Sequence, residues 1–179
     1  MHSRTLAYGV AALVFAVDQL TKWLVIGPLD LRAVQQIQVV PIFDLTYTEN
    51  RGTAFGLFPA YSDAARWTLV GFTAAVAIGV AIWIWREKAR GDQLALSLIL
   101  GGAVGNILDR SRLGYVVDFA DLHFRGVPSF LCMSYDDGVC RPFLVFNVAD
   151  AAISIGVVIL LLRAFLSKDE RPKENAEHA

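Results

Sequence analysis

Two aspartates in apolar surroundings carry the most chemistry in this sequence. Asp118 stands in "GYVVDFADLHF" (114–124), flanked by Val116, Val117 and Phe119. Asp150 stands in "FNVADAAISIG" (146–156), among Ala149, Ala151 and Ala152, with no basic residue three or four positions away on either side. A carboxylate taken out of water costs several kcal/mol unless it is paired or hydrated, so each needs partners from another segment. Two carboxylates that face each other keep a proton between them and titrate as a unit. The ionised member can take a proton from water as general base. The protonated member hydrogen-bonds a carbonyl, and a proton later reaches a leaving amine. Such a pair can hydrolyse a peptide bond.

Other chemistry is poorly supplied. His2, His123 and His178 are scattered, so no cluster with zinc-ligand spacing exists, and there is no G-x-S-x-G elbow or Walker-type phosphate loop. No metal and no cofactor is expected. Cys132 and Cys140 have no histidine arranged near them in sequence, although a spatial pairing with His123 stays open.

The elements that must position these residues follow from composition. Of 179 residues 55% are hydrophobic and the mean hydropathy is +0.49, which argues for an integral membrane protein. The net charge of −1 gives no sign of a nucleic-acid partner. A transmembrane helix needs about 20 apolar residues. Four segments qualify, roughly 6–26, 64–85, 94–110 and 143–166. The first is read as a retained span, because Asp18 and Lys22 interrupt it and no small-residue cleavage site follows. The predicted architecture is an all-α, four-helix membrane bundle, one domain over 1–166, with a small extracytoplasmic β-sheet and outer loops.

Arg4, "REKAR" (86–90) and "RAFLSKDERPK" (163–173) fall on one side, which the positive-inside rule makes cytoplasmic. Both termini are then cytoplasmic, the segments 27–63 and 111–142 face outward, and 167–179 is a disordered tail. "QIQVVPIFDLTYT" (36–48) reads as one or two strands edged at Pro41. Phe55, Leu57 and Phe58 are placed to dip into the interface. Trp23, Trp67, Tyr47 and Tyr61 fit an outer aromatic belt, and Trp83 and Trp85 an inner one. Gly101 and Gly105 in "GGAVGN" have the small-xxx-small spacing that lets helices approach closely.

Depth along the spans brings the polar residues to one level. Asp18 and Lys22 share a helical face in the outer half of the first span. Asn106, Asp109 and Arg110 end the third, and Asn147 and Asp150 open the fourth. For Asp18 with Lys22 a purely structural ion pair stays open, for Asp109 with Arg110 a simple helix end, and for the asparagines plain interhelical hydrogen bonding. A proton- or ion-coupled transporter subunit also remains as an alternative, although the polar groups do not continue to the cytoplasmic side as a pathway needs. So does an assembly protein whose polar residues only fix helix pairing.

On "DQLTK" (18–22), "ENRGTAFG" (49–56), "GGAVGNILDR" (101–110), "GYVVDF" (114–119) and "FNVADAAISIG" (146–156), in this order, the chain closely resembles the bacterial lipoprotein signal peptidase family, signal peptidase II. The resemblance implies an intramembrane aspartic protease of the inner membrane. It would cleave prolipoproteins on the amino side of the diacylglyceryl-modified cysteine, with globomycin as an inhibitor. It implies catalysis by Asp118 and Asp150. It places Asp18, Lys22, Asn50, Arg51, Gly52, Asn106, Asp109, Arg110, Asn147 and Ala149 where the family binds substrate or supports the site. Partners are then lipid and prolipoprotein substrates, with the protein a monomer. Asp121 is assigned to loop solvation or a turn. One stretch departs from the family pattern, "RGVPSFLCMSYDDGVCRP" (125–142), where Asp136-Asp137-Gly138 offers hairpin-turn chemistry. The flanking Cys132 and Cys140 could form a disulfide or remain free thiols.

Overall fold

The structure, a computed structural model, describes residues 2–52 and 62–168. Four long helices dominate it: α1 (His2–Ile26), α3 (Asp63–Arg86), α4 (Arg90–Leu113) and α5 (Val148–Lys168), with a short α2 (Leu31–Val34) after the first. Each long helix contains a window of mean hydropathy between 1.3 and 2.1 and is long and apolar enough to cross a membrane. A helix of 24 residues such as α3 or α4 is roughly 36 Å long, enough for ~30 Å of hydrocarbon with some tilt. The outward faces expose Leu13, Leu20, Phe72, Ile78, Leu161 and Phe165, which suits a lipid solvent.

Local chemistry sets the helix ends. Ser62 caps α3, its hydroxyl accepting from the Ala65 N–H at 3.2 Å. Gly114 closes α4 in the left-handed region (φ 88°), its N–H returning to the Arg110 carbonyl. That turn sends the chain directly into a strand. Helix α5 begins at Val148, later than the apolar pattern beginning near 143 suggests. The cause is backbone pairing: Phe146 bridges Ala120, exchanging N–H···O bonds of 2.7 and 3.1 Å, and so stays extended.

Helix α4 is the centre of the bundle, packing on α1, α3 and α5. Its glycines make this possible. A Cβ on Gly101 would lie 2.5 Å from the Ala11 carbonyl, one on Gly102 would collide with the Ala149 carbonyl, and one on Gly105 with the Asp18 carboxylate. The first and last long helices are thereby drawn onto the same helix at the same height.

The β structure exceeds the expected one or two strands. Strands β1 (Gln36–Val40), β2 (Phe43–Asn50) and β3 (Val116–Leu122) form an antiparallel sheet in that order. Strands β4 (Phe124–Arg125), β5 (Ser134–Asp136) and β6 (Val139–Arg141) form a second sheet ordered β4-β6-β5. By connectivity both lie at the end of the bundle where α1 and α4 finish and α3 and α5 begin. Val25, Leu31, Phe119 and Ala120, with Ile37, Phe43, Leu45 and Tyr47 around them, join the first sheet to the bundle. Tyr47 therefore packs inside, its hydroxyl 3.1 Å from that of Tyr115, and is not a free member of an aromatic belt. Trp23, Trp67, Trp83 and Trp85 are exposed. Residues 53–61, with Phe55, Leu57, Phe58 and Tyr61, and the tail from 169 onward lie outside the described residues.

The insertion is a hairpin with a disulfide between Cys132 and Cys140, whose Cα atoms are 5.3 Å apart. Asp137 (φ 47°) and Gly138 (φ 76°) supply the two left-handed residues of a tight turn between β5 and β6. With both sulfurs bonded to each other, the pairing of a cysteine with His123 is closed.

Candidate active site

Strand β3 and the first turn of α5 bring the two aspartates together. Asp118 lies opposite Thr48 in the β2–β3 ladder, so it shares a sheet face with Thr48 and Asn50. Asn50 donates from Nδ2 to Asp118 Oδ2 at 3.0 Å, and its own Oδ1 accepts from the Gly52 N–H at 3.0 Å. The Phe146–Ala120 bridge sets Asn147 beside Asp118, and Asn147 Nδ2 donates to Asp118 Oδ1 at 2.6 Å.

Asn147 also begins α5, and there it serves Asp150. Its Oδ1 accepts from the Asp150 N–H at 2.9 Å, while its N–H donates to Asp150 Oδ2 at 3.3 Å. This reciprocal pattern is a capping box with a carboxylate in the third helical position. The other Asp150 oxygen accepts from Asn106 Nδ2 of α4 at 2.8 Å. A single residue thus holds both carboxyls, that of Asp118 through its side-chain amide and that of Asp150 through its backbone N–H. Burial, and then the neighbouring Asp150 charge, push the Asp118 carboxyl up to about 7, against the opposing pull of the Asn50 and Asn147 donors.

A second buried cluster fixes the helices behind the pair. Lys22 reaches Asp18 Oδ2 at 2.9 Å, Asp109 Oδ2 at 2.8 Å and Asn106 Oδ1 at 3.2 Å. All four side chains are buried. The second Asp18 oxygen accepts from the Ala149 N–H at 3.0 Å, at the unsatisfied start of α5. Asp109 also receives the Val117 N–H at 3.3 Å and Gln19 Nε2 at 3.0 Å. The Lys22 ammonium is thus matched by two carboxylates on two helices, the arrangement a buried ion needs. Arg110 lies within electrostatic reach of Asp150, Asp118 and Asp109, and its buried Nε has no hydrogen-bond partner among the described residues.

Asp18, Lys22, Asn50, Gly52, Asn106, Asp109, Arg110, Asn147 and Ala149 therefore gather around Asp118 and Asp150. Arg51 departs from that group: it pairs with Glu49 Oε2 at 2.6 Å and stacks over Tyr115 with its guanidinium carbon 5.6 Å from the ring centre. Asp121 is no turn residue. It is fully buried in β3, where it accepts from Arg141 Nε at 2.9 and 3.2 Å and from the Thr46 hydroxyl at 3.1 Å. Asp109 is likewise an internal ion-pair member and not a solvated helix end. Gln19, passed over in the sequence despite lying within "DQLTK", bridges Asp18 and Asp109.

Four membrane-capable helices around two aspartates joined through Asn147 define a multi-pass membrane protein with the makings of a hydrolytic site. Comparison with known proteins agrees. Residues 10–166 match the family model described as Signal peptidase (SPase) II, and the chain belongs to that family of proteases. It is 51% identical over 175 residues to the lipoprotein signal peptidase of Rhizorhabdus wittichii, covering 97% of this chain and 94% of that one. It is 48% identical to the lipoprotein signal peptidase of Sphingopyxis alaskensis over 93% of this chain and 89% of the other. The fold is similar to a bacterial membrane enzyme solved by the in meso method at 2.3 Å (TM-score 0.74, 24% identity, 97% of this chain and 95% of that one). A second, at 1.9 Å, gives a TM-score of 0.69 at 26% identity over 89% and 92%.

Proposed function

We propose that this chain is an intramembrane aspartic endopeptidase that removes signal peptides from prolipoproteins, cutting on the amino side of the diacylglyceryl-modified cysteine. The observation that carries the reading is the joint hold of Asn147 on Asp118 and Asp150, within a family of signal peptidases. Asp118, raised to about 7 outside the helices, is the member we assign the shared proton. Ionised Asp150 takes a proton from water, and the hydroxide so formed attacks the scissile carbonyl carbon. The Asp118 proton passes to the carbonyl oxygen, giving a tetrahedral diol. On collapse a proton goes to the nitrogen, the C–N bond breaks, and the pair recovers its single proton. Arg110, close to both carboxyls, balances charge as they exchange it.

The positive-inside pattern supports an inner-membrane protein with cytoplasmic termini, and with them an outer-face location for both sheets and the aspartates. The substrate's acyl chains then stay in the bilayer while the peptide reaches the site, so lipid supplies positioning. We take the protein to act as a monomer and to be inhibited by globomycin. Among the described residues, the polar side chains buried farther down α4 are Gln93 and Ser97. Each is hydrogen-bonded to nearby backbone, Gln93 to the Glu87 carbonyl and Ser97 to that of Gln93, which gives a transport path no support.

The test is a gel-shift assay with purified protein and a diacylglyceryl-modified prolipoprotein. Wild type cleaves it, processes the unlipidated precursor poorly, and loses at least ~10³-fold activity in Asp150→Asn. Activity within about tenfold of wild type in that variant would overturn the mechanism.

A further inference from the structure

Among the described residues, the hairpin between β3 and α5 carries the most exposed large apolar side chains outside the long helices. Phe130 is 82% exposed, Met133 72%, Leu144 64%, and Leu131 and Phe143 57% each. Their placement is not random along the hairpin. Met133 donates its N–H to the Arg141 carbonyl at 2.8 Å, so it lies beside the segment that runs through Phe143 and Leu144 into α5. Leu131 adjoins Cys132, which the disulfide fixes to Cys140. All five apolar residues thus gather at one end of the hairpin. The acidic Asp136-Asp137-Gly138 turn occupies the other end, about 10 Å farther along the three residues of β5.

We propose that the apolar end of this hairpin is a membrane anchor, seated in the headgroup and upper acyl region of the leaflet at which α5 enters the bilayer. Three observations favour lipid over a protein partner. Helix α5 begins four residues after Leu144, and its exposed Ile155, Val157, Val158 and Leu161 mark it as an apolar span. A segment that hands the chain to a transmembrane helix lies at the interface by connectivity. The charges also divide as an interface requires. The acidic turn, with Arg125 opposite Val139 beside it, lies at the end of the hairpin away from the bilayer. Finally, the anchor is rigid: the disulfide and the Arg141–Asp121 ion pair, 2.9 Å, tie it to the strand that carries Asp118. The hairpin then sets the height of β3 relative to the lipid surface. The proposal needs only a bundle that spans the membrane and is independent of the peptidase chemistry.

The test uses the full chain reconstituted into phosphatidylethanolamine–phosphatidylglycerol vesicles, with or without bromine on the upper acyl chain. Phe130→Trp and Leu131→Trp each add one indole at an exposed position that tolerates it. Asp137→Trp is the control, and wild-type emission is subtracted. Brominated lipid should quench the added emission of Phe130→Trp and Leu131→Trp by half or more and leave Asp137→Trp unchanged. Quenching of the first two by acrylamide but not by brominated lipid would show an end standing in water. Resistance to both quenchers would show a protein partner covering it. Either result overturns the proposal.

Discussion

Asp118→Asn should remove a fall in stability between mildly acidic and alkaline pH, by an amount the titration of this residue fixes. The folded-state carboxyl is raised to about 7 from 3.8, first by burial and then by Asp150. A raised acid binds its proton in the folded state over a window where the unfolded chain has lost it. Stability therefore falls as pH rises from about 4 to about 7 and is flat above. Between about pH 5.5 and about pH 8 the wild type loses roughly 2 kcal/mol through this one group, an order-of-magnitude figure. On soluble-domain scaling that is roughly 4–8 °C in Tm. Asparagine keeps the shape and cannot ionise, so this component of the pH dependence disappears. Its amide does place a donor against Asn50 or Asn147, a mismatch costing about 1–3 kcal/mol. That penalty is the same at both pH values and cancels in the difference. Thermal unfolding in detergent, followed by intrinsic fluorescence at the two pH values for wild type and variant, measures it. An Asp118→Asn slope equal to that of wild type would refute the assignment of the raised carboxyl. The same variant should be inactive, so a pH-independent stability and catalysis would be traded at one position.

Other expectations concern the framework. Lys22→Met strands Asp18 and Asp109 without their shared cation and should cost about 3–5 kcal/mol, read as a lost folded fraction in detergent. Gly102→Ala and Gly105→Ala drive a methyl into the Ala149 carbonyl and the Asp18 carboxylate. Each should lower stability by about 1–3 kcal/mol by the same measurement, whereas Gly9→Ala, with open space around it, should not. Asp121→Asn should retain cleavage while loosening the hairpin, seen as faster proteolysis near Arg125; loss of activity in a folded protein would put Asp121 in the reaction.

The sequence shows the spans and the Asp18–Lys22 pair because both rest on short-range rules, apolar length and i,i+4 spacing. The meeting of Asp118 with Asp150 rests on residue depth and on family motifs, since no local pattern states which segments touch. The buried strand at 116–122 is hard to read because a strand covered on both faces shows no alternation. That is also why Asp121 passes for a turn residue. The Asn147-x-x-Asp150 capping signature is present in the sequence, but an apolar run beginning at Phe143 masks the true helix start. The disulfide needed the Cα separation that only the fold supplies.

The bond from the Ala149 N–H to Asp18 joins positions 131 residues apart. During synthesis the α1 carboxylate, its lysine and the α4 asparagine are made long before α5 exists. Until Asn147 and Ala149 arrive, Asp18 lacks its backbone donor and Asp118 has the Asn50 amide without that of Asn147. A chain halted after β3 holds Asp118 without Asp150, and on the proposed mechanism it can cut nothing. On that mechanism activity reports complete insertion, and the last long helix to leave the ribosome is the one that arms the site.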